Sequence, residues 1–147
     1  MKIIRDLAVT RDELFDYLEE SFCAELAKAT GSPAERSMLK TGFTYSAAGG
    51  ATSVEVVRYD RGCAYESLTR SGRDCSRSSY LVEPSEREGR IKVTLRQEID
   101  SFDRRKSGPM KLFSEAIYLG RMADSLFTMQ DKIVAAREDS AAGGTEG

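Results

Sequence analysis

The spacing of apolar residues changes twice along the chain, and each change marks a new kind of element. Lys2 to Val9 is short and rich in branched residues, which favours a first strand. At Thr10 the pattern becomes helical. Thr10-Arg11-Asp12-Glu13 has the form of a capping box, in which the threonine hydroxyl and the glutamate carboxylate each accept from the other residue's backbone amide. Leu14, Leu18, Phe22 and Leu26 then recur at every fourth position with Phe15 beside them, while Asp16, Glu19, Glu20 and Glu25 take other faces. Gly31 followed by Ser32-Pro33 ends this stretch. The spacing predicts one helix over about 11–30, or two short ones with a bend.

From Leu39 the period is two. Phe43 and Tyr45 share one strand face; Val54 and Val56 share one in the next strand, with Val57 and Tyr59 opposite. Further strands are expected at Cys63–Arg70, Cys75–Glu83 and Arg90–Phe102, the last with Ile91, Val93, Leu95, Gln97 and Ile99 alternating against Lys92, Thr94, Arg96 and Glu98. Ala48-Gly49-Gly50, Asp60-Arg61-Gly62 and Ser71-Gly72-Arg73-Asp74 are turn signals between them. Turns at such close intervals predict a meander of hairpins, and therefore an antiparallel sheet.

The period becomes helical again after Ser107-Gly108-Pro109 and stays so from Met110 to about Arg137. Leu112, Leu119, Leu126 and Ile133 lie seven apart, and Phe113, Ile117, Ala123, Phe127 and Val134 broaden the apolar face beyond a coiled-coil seam. Such a helix is expected to lie in a concave surface, buried along Leu112, Phe113, Leu119, Leu126 and Phe127. Gly120 interrupts it, at a cost of about 1 kcal/mol against alanine, and reads as a close strand contact or as room for a ligand. Residues 1–138 are expected to form one α+β domain, and 139–147, small, polar and glycine-rich, a disordered tail.

Composition narrows the function classes. The chain has 147 residues, 40% hydrophobic and 31% charged, a globular profile. A formal net charge of -2 gives no general attraction to nucleic acid or anionic membranes. No apolar run is long enough to span a membrane, and the charged N-terminus leaves no signal-peptide core. Cys23, Cys63 and Cys75 lack the spacing of a disulfide framework or zinc knuckle and read as free thiols in a reducing, cytoplasmic setting. A turn centred on Gly72 and Arg73 would pair Arg70 with Cys75 and set Cys63 near Val82, too far from Cys75 for a bridge.

Candidate chemistry is sparse. The chain has no histidine, which removes the commonest general base and metal ligand. There is no nucleophile elbow and no phosphate-binding glycine loop. Glu19, Glu20 and Glu25 read as solvated helix charges rather than metal ligands, and Arg104-Arg105-Lys106 as a solvated loop rather than an anion site. No catalytic residue, metal site or cofactor is therefore assigned. The unusual feature is the polarity of two strands. Cys63, Tyr65, Ser67 and Thr69 share one face and Cys75, Arg77 and Ser79 another; an inward-pointing face of this kind lines a polar-edged pocket, with Arg77 placed to meet an anionic group.

The order strand, helical segment, antiparallel meander and long C-terminal helix resembles the START-like (SRPBCC, helix-grip) superfamily. More narrowly, the chain resembles an uncharacterised bacterial family of about this length. The stretches that carry the likeness are Lys2-Ile3-Ile4, Thr10 to Leu18, Ala29-Thr30-Gly31, Gly42-Phe43-Thr44-Tyr45 and Tyr80-Leu81-Val82-Glu83-Pro84. The resemblance implies a curved sheet gripping the last helix, with a cavity between them that in that superfamily often holds a lipid, hormone or polyketide. Tyr45, Tyr65, Arg77, Phe113, Ile117, Gly120 and Phe127 are the residues expected to line it. A small hydrophobic or amphipathic ligand is the first reading. A ligand-free interaction module using the sheet edge or helix face, compatible with a homodimer, is the second. A cyclase- or hydratase-like enzyme with Tyr, Asp and Arg as acid-base groups is the third.

Overall fold

A computed structural model describes residues 1–100 and 109–145, with side chains described over 1–100 and 112–139. Among the described residues six strands, β1 (Lys2–Leu7), β2 (Thr44–Ala47), β3 (Thr52–Asp60), β4 (Ala64–Ser71), β5 (Asp74–Pro84) and β6 (Ile91–Ile99), accompany two long helices, α1 (Arg11–Thr30) and α2 (Pro109–Thr145). The strands form one antiparallel sheet in the order β1-β6-β5-β4-β3-β2. Consecutive strands β2 to β6 are neighbours, as the meander requires, and β1 closes the far edge against β6. This is the helix-grip architecture the pattern predicts.

Local chemistry fixes the elements. Thr10 caps α1 through the predicted box: the Glu13 amide donates to Thr10 Oγ1 at 3.1 Å and the Thr10 amide to Glu13 Oε1 at 2.9 Å. Gly31, at φ 72°, closes the other end with its amide on the Ala27 carbonyl at 2.8 Å. The segment is thus one uninterrupted helix. The β4–β5 hairpin turns at Gly72, also left-handed, and pairs Arg70 with Cys75; the Val82 amide reaches the Cys63 carbonyl at 2.8 Å. All three cysteines are free.

Strand β3 departs from strict alternation. Val56 pairs with Ser67 but Arg58 pairs with Glu66, so Val57 is an extra residue, a β-bulge. The slip of one turns Tyr59 onto the face of Val56 instead of the opposite face. The inner surface of the sheet therefore runs through Tyr45, Val54, Val56, Tyr59, Tyr65, Ser67, Ser78, Tyr80, Val82, Val93 and Leu95.

Two helices share this inner face. On the β1–β6 side, Met122, Leu126, Met129 and Ile133 of α2 join Leu14, Phe15 and Leu18 of α1 and Ile3, Leu7, Ile91, Val93 and Leu95 in the main core. On the β2–β4 side, Phe22 and Leu26 of α1 pack with Leu39 and Val56, bordered by Phe43, Tyr45, Tyr59 and Tyr65. Because α1 already covers that half, the sheet takes up only one stripe of α2. Leu126 is fully buried and Leu119 half-buried as expected, but Leu112, Phe113, Ile117 and Phe127 are exposed. The α2 helix also continues to Thr145, beyond the expected end near Arg137 and into the segment expected as a tail. Arg104-Arg105-Lys106 lies outside the described residues.

Two polar clasps hold α1 in place. Arg137 of α2 grips Glu13 through two bonds of 2.7 Å, and its Nη2 also donates to the Ala8 carbonyl at 3.2 Å. At the other side, buried Glu19 accepts from Tyr59 Oη at 2.5 Å and from Arg61 Nη1 at 2.8 Å, while Arg61 and Arg36 both reach Asp16. The bulge at Val57 is what brings Tyr59 to Glu19.

Candidate functional site

At the centre of the inner face the side chains become small and polar. Ser67 of β4 lies opposite Ser78 of β5, flanked by the Tyr65–Tyr80 pair on one side and Thr69–Ser76 on the other. Serine cannot fill the distance to a helix packed on large residues at both ends. A cavity of about 180 Å³ remains, lined by Leu18, Ser21, Phe22 and Glu25 of α1 and by Tyr65, Ser67, Ser78 and Tyr80 of the sheet. It adjoins a more open groove of about 610 Å³ lined by Glu25, Lys28, Ala29, Tyr45, Ala47, Ala48 and Gly49. Glu25 borders both spaces.

The cavity's polar atoms are not used by the fold. Among the described residues, no hydrogen bond within the chain engages the hydroxyls of Ser21, Tyr65, Ser67, Ser78 or Tyr80, and no buried side-chain oxygen or nitrogen is sealed off without a partner. These hydroxyls therefore face accessible space. The aromatic rings form a row across the sheet: Tyr59 to Tyr65 at 5.8 Å and near-perpendicular, Tyr65 to Tyr80 at 6.3 Å and tilted. Phe22 continues it toward Tyr45, edge-on at 6.1 Å.

The electrostatics are one-sided. Among the described residues the lining contains one carboxylate and no cationic side chain. Burial pushes the Tyr80 phenol up to about 12, and the Tyr17 phenol and Glu25 charge add to the shift. Burial likewise raises Tyr65, with smaller contributions from Tyr45 and Glu25. Tyr45, raised by burial and then by Glu25, feels the same charge from the groove. All three phenols stay neutral in ordinary conditions and can donate as well as accept. Among the described residues no cluster of Cys, Asp and Glu is arranged to hold a metal ion, and no helix is long and apolar enough to cross a membrane.

The structure divides the residues singled out in the sequence. Tyr65 lines the cavity and Tyr45 the adjoining groove. Arg77 sits on the opposite face of the sheet, where it bonds Glu66 at 3.2 Å; with Leu68 as its cross-strand neighbour it is out of phase with Tyr65. Phe113, Ile117, Gly120 and Phe127 lie on the outer side of α2, and a Cβ added to Gly120 would meet nothing within 4 Å. Among the described residues a side chain at Gly120 would therefore meet no strand, and Gly120 lines neither the cavity nor the groove. Besides Tyr65 and Ser67 the cavity is lined by Leu18, Ser21, Phe22, Glu25, Ser78 and Tyr80, none of which is among the residues expected to line it. The hairpin pairing of Arg70 with Cys75 is the signal that would have found two of them, since counting back from it sets Ser78 beside Ser67 and Tyr80 beside Tyr65.

Solved structures with the same fold are found at low sequence identity. The chain is similar to Ara h 8.0201 with a TM-score of 0.59 at 8% identity, covering 92% of this chain and 97% of that one. It is similar to the Aha1 dimer from Colwellia psychrerythraea with a TM-score of 0.55 at 12% identity, covering 90% and 94%. CalU16 from Micromonospora echinospora gives 0.53 at 13% identity, covering 97% and 85%. At these identities the likeness is one of fold, that of the helix-grip proteins. No curated protein matches the sequence. Residues 1–113 match the family described as Domain of unknown function (DUF3284), and the chain belongs to that family.

Proposed function

We propose that this chain is a cytoplasmic binding domain that holds a small amphipathic molecule between α1 and the sheet, rather than beneath the C-terminal helix. The observation that carries this reading is the set of unengaged hydroxyls around the cavity. These hydroxyls line a partly enclosed space and are bonded to nothing among the described residues of the chain, so a ligand that meets them gains hydrogen bonds without displacing any that the fold already makes. The cavity alone, at about 180 Å³, is smaller than the ~300 Å³ lower end of typical ligand sites. Together with the adjoining groove it accommodates a ligand whose polar end enters among the serines and tyrosines and whose apolar part lies along Ala29, Ala47 and Tyr45. A carboxylate and two tyrosines do converge here, but burial lifts both phenols further above the near-neutral pKa range in which a general acid or base works best. Binding is favoured over catalysis on that ground. Native mass spectrometry of the purified protein tests the reading: a co-purified mass that disappears in Ser67→Phe, a change that fills the cavity, supports it. Retention of that mass by Ser67→Phe places the ligand elsewhere and refutes it.

A second reading rests on α2. Leu112, Phe113, Ile117 and Phe127 are exposed by between 41% and 70%, an unusual apolar concentration for a surface helix. Phe113 and Phe127 stand seven residues before and after Gly120 on one face. Two antiparallel copies crossing at Gly120 would therefore set each Phe113 against the partner's Phe127, the self-complementarity that a two-fold interface needs. Sedimentation of wild type beside Phe113→Ser/Phe127→Ser decides it: a dimer lost in the double variant supports the pairing, and a wild-type monomer at every concentration excludes it.

A further inference from the structure

Among the described residues nothing positive faces the cavity, and this restricts the chemistry of its occupant beyond the reading proposed above, on which the following rests. We infer that the site takes the positively charged end of a small hydroxylated or aromatic amine, held by the Glu25 carboxylate at the rim and by the rings and hydroxyls of Tyr65, Tyr80, Ser67 and Ser78 within.

Three observations converge. Among the described residues Glu25 is the sole charged side chain of the lining. Among the described residues it enters no ion pair, although its neighbours on α1 do: Asp16, Glu19 and Glu20 are all committed to Arg36 or Arg61. The carboxylate is thus available to a ligand while those one and two turns earlier are not. Its charge reaches into the site, since it opposes ionisation of Tyr45, Tyr65 and Tyr80 together. A second source of cation affinity lies in the aromatic rings, whose electron-rich faces attract an ammonium group. Tyr65 and Tyr80, with Phe22 opposite on α1, surround the space on more than one side. The serine hydroxyls accept from ammonium or hydroxyl donors. Lys28, the nearest basic residue along α1, lines the groove and not the cavity, so it bounds where the positive group can lie. An anionic ligand would have to pass Glu25 and lose its hydration with no cation among the described lining residues to receive it.

Three probes of similar shape and different charge test this: tyramine as the cation, tyrosol as the neutral form and 4-hydroxyphenylacetate as the anion. Each is titrated into the full chain, followed by amide chemical shifts of Ser21, Ser67 and Ser78. Tyramine is expected to bind on the order of tenfold more tightly than tyrosol, with the anion weakest. Glu25→Gln, at an exposed position, is expected to remove most of the tyramine-over-tyrosol preference, with the fold of the variant checked by circular dichroism. If tyrosol binds at these serines but tyramine gains nothing, or the anion binds best, the charge assignment is overturned while the cavity reading stands. If none of the three shifts these residues at millimolar concentration, the cavity reading fails and this inference fails with it.

Discussion

The division of α2 into a buried and an exposed face makes a paired prediction with a large expected contrast. Leu126 is 0% exposed and packs in the cluster that joins α2 to β1, β6 and α1. Truncating it to alanine removes a whole isobutyl group from a site enclosed by both helices and the sheet, where collapse into the void is restricted. Losses for such changes run to about 2–5 kcal/mol, and about 3 is expected here. For a domain of this size each kcal/mol lowers the melting temperature by about 2–4 °C, so Leu126→Ala should melt roughly 6–12 °C early. Phe113 is larger but 65% exposed. Phe113→Ala should change stability by less than about 0.5 kcal/mol, close to the noise of a thermal scan. Both variants are compared with wild type by calorimetry and by circular dichroism at low protein concentration, so that self-association does not contribute. Equal losses for the two would show that the first turns of α2 are covered in solution, and a negligible loss at Leu126 would show that α2 does not close the core at all.

Four other outcomes follow from the same contacts. Gly120 meets open space on a helical backbone, so Gly120→Ala should stabilise by about 1 kcal/mol and raise the melting temperature. Tyr59→Phe removes the donor to Glu19 Oε2 and should cost about 1–2 kcal/mol in denaturant unfolding, with Arg61 still holding the carboxylate. Hydrogen bonds from Arg137 hold the Glu13 carboxyl down at about 2, against roughly 4.3 in an unfolded chain. A depressed folded value means the contribution is complete above the unfolded value and is lost as pH falls toward 2. Both side chains are partly solvated, which reduces it to about 1 kcal/mol, and Arg137→Gln should flatten the fall in stability between about pH 5 and pH 2. Titration of the denatured, unreduced protein should find all three thiols free, since Cys23, Cys63 and Cys75 are unbridged; a count of one would contradict the β4–β5 pairing.

Much of the fold was legible because it depends on interactions between near neighbours in the chain. The Thr10–Glu13 box and Gly31 set the ends of α1 through bonds spanning a single turn. The alternation of Ile91, Val93 and Leu95 marked the face that meets the core, and Gly72 fixed the β4–β5 register that separates Cys63 from Cys75. Three decisions were made only by the tertiary structure. Val57 is an ordinary strand residue with no turn signal, so the bulge that moves Tyr59 to Glu19 arises from how β3 fits β4. The apolar face of α2 is broader than any one stripe, and which part is buried depends on α1 having already covered half the sheet. The cavity, finally, exists because Ser67 and Ser78 stand side by side beneath Ser21 and Glu25. In the sequence Ser67 stood out on the polar face of its strand, but Ser78, Ser21 and Glu25 are ordinary polar positions; the proximity of all four comes from the register of two strands and the placement of one helix.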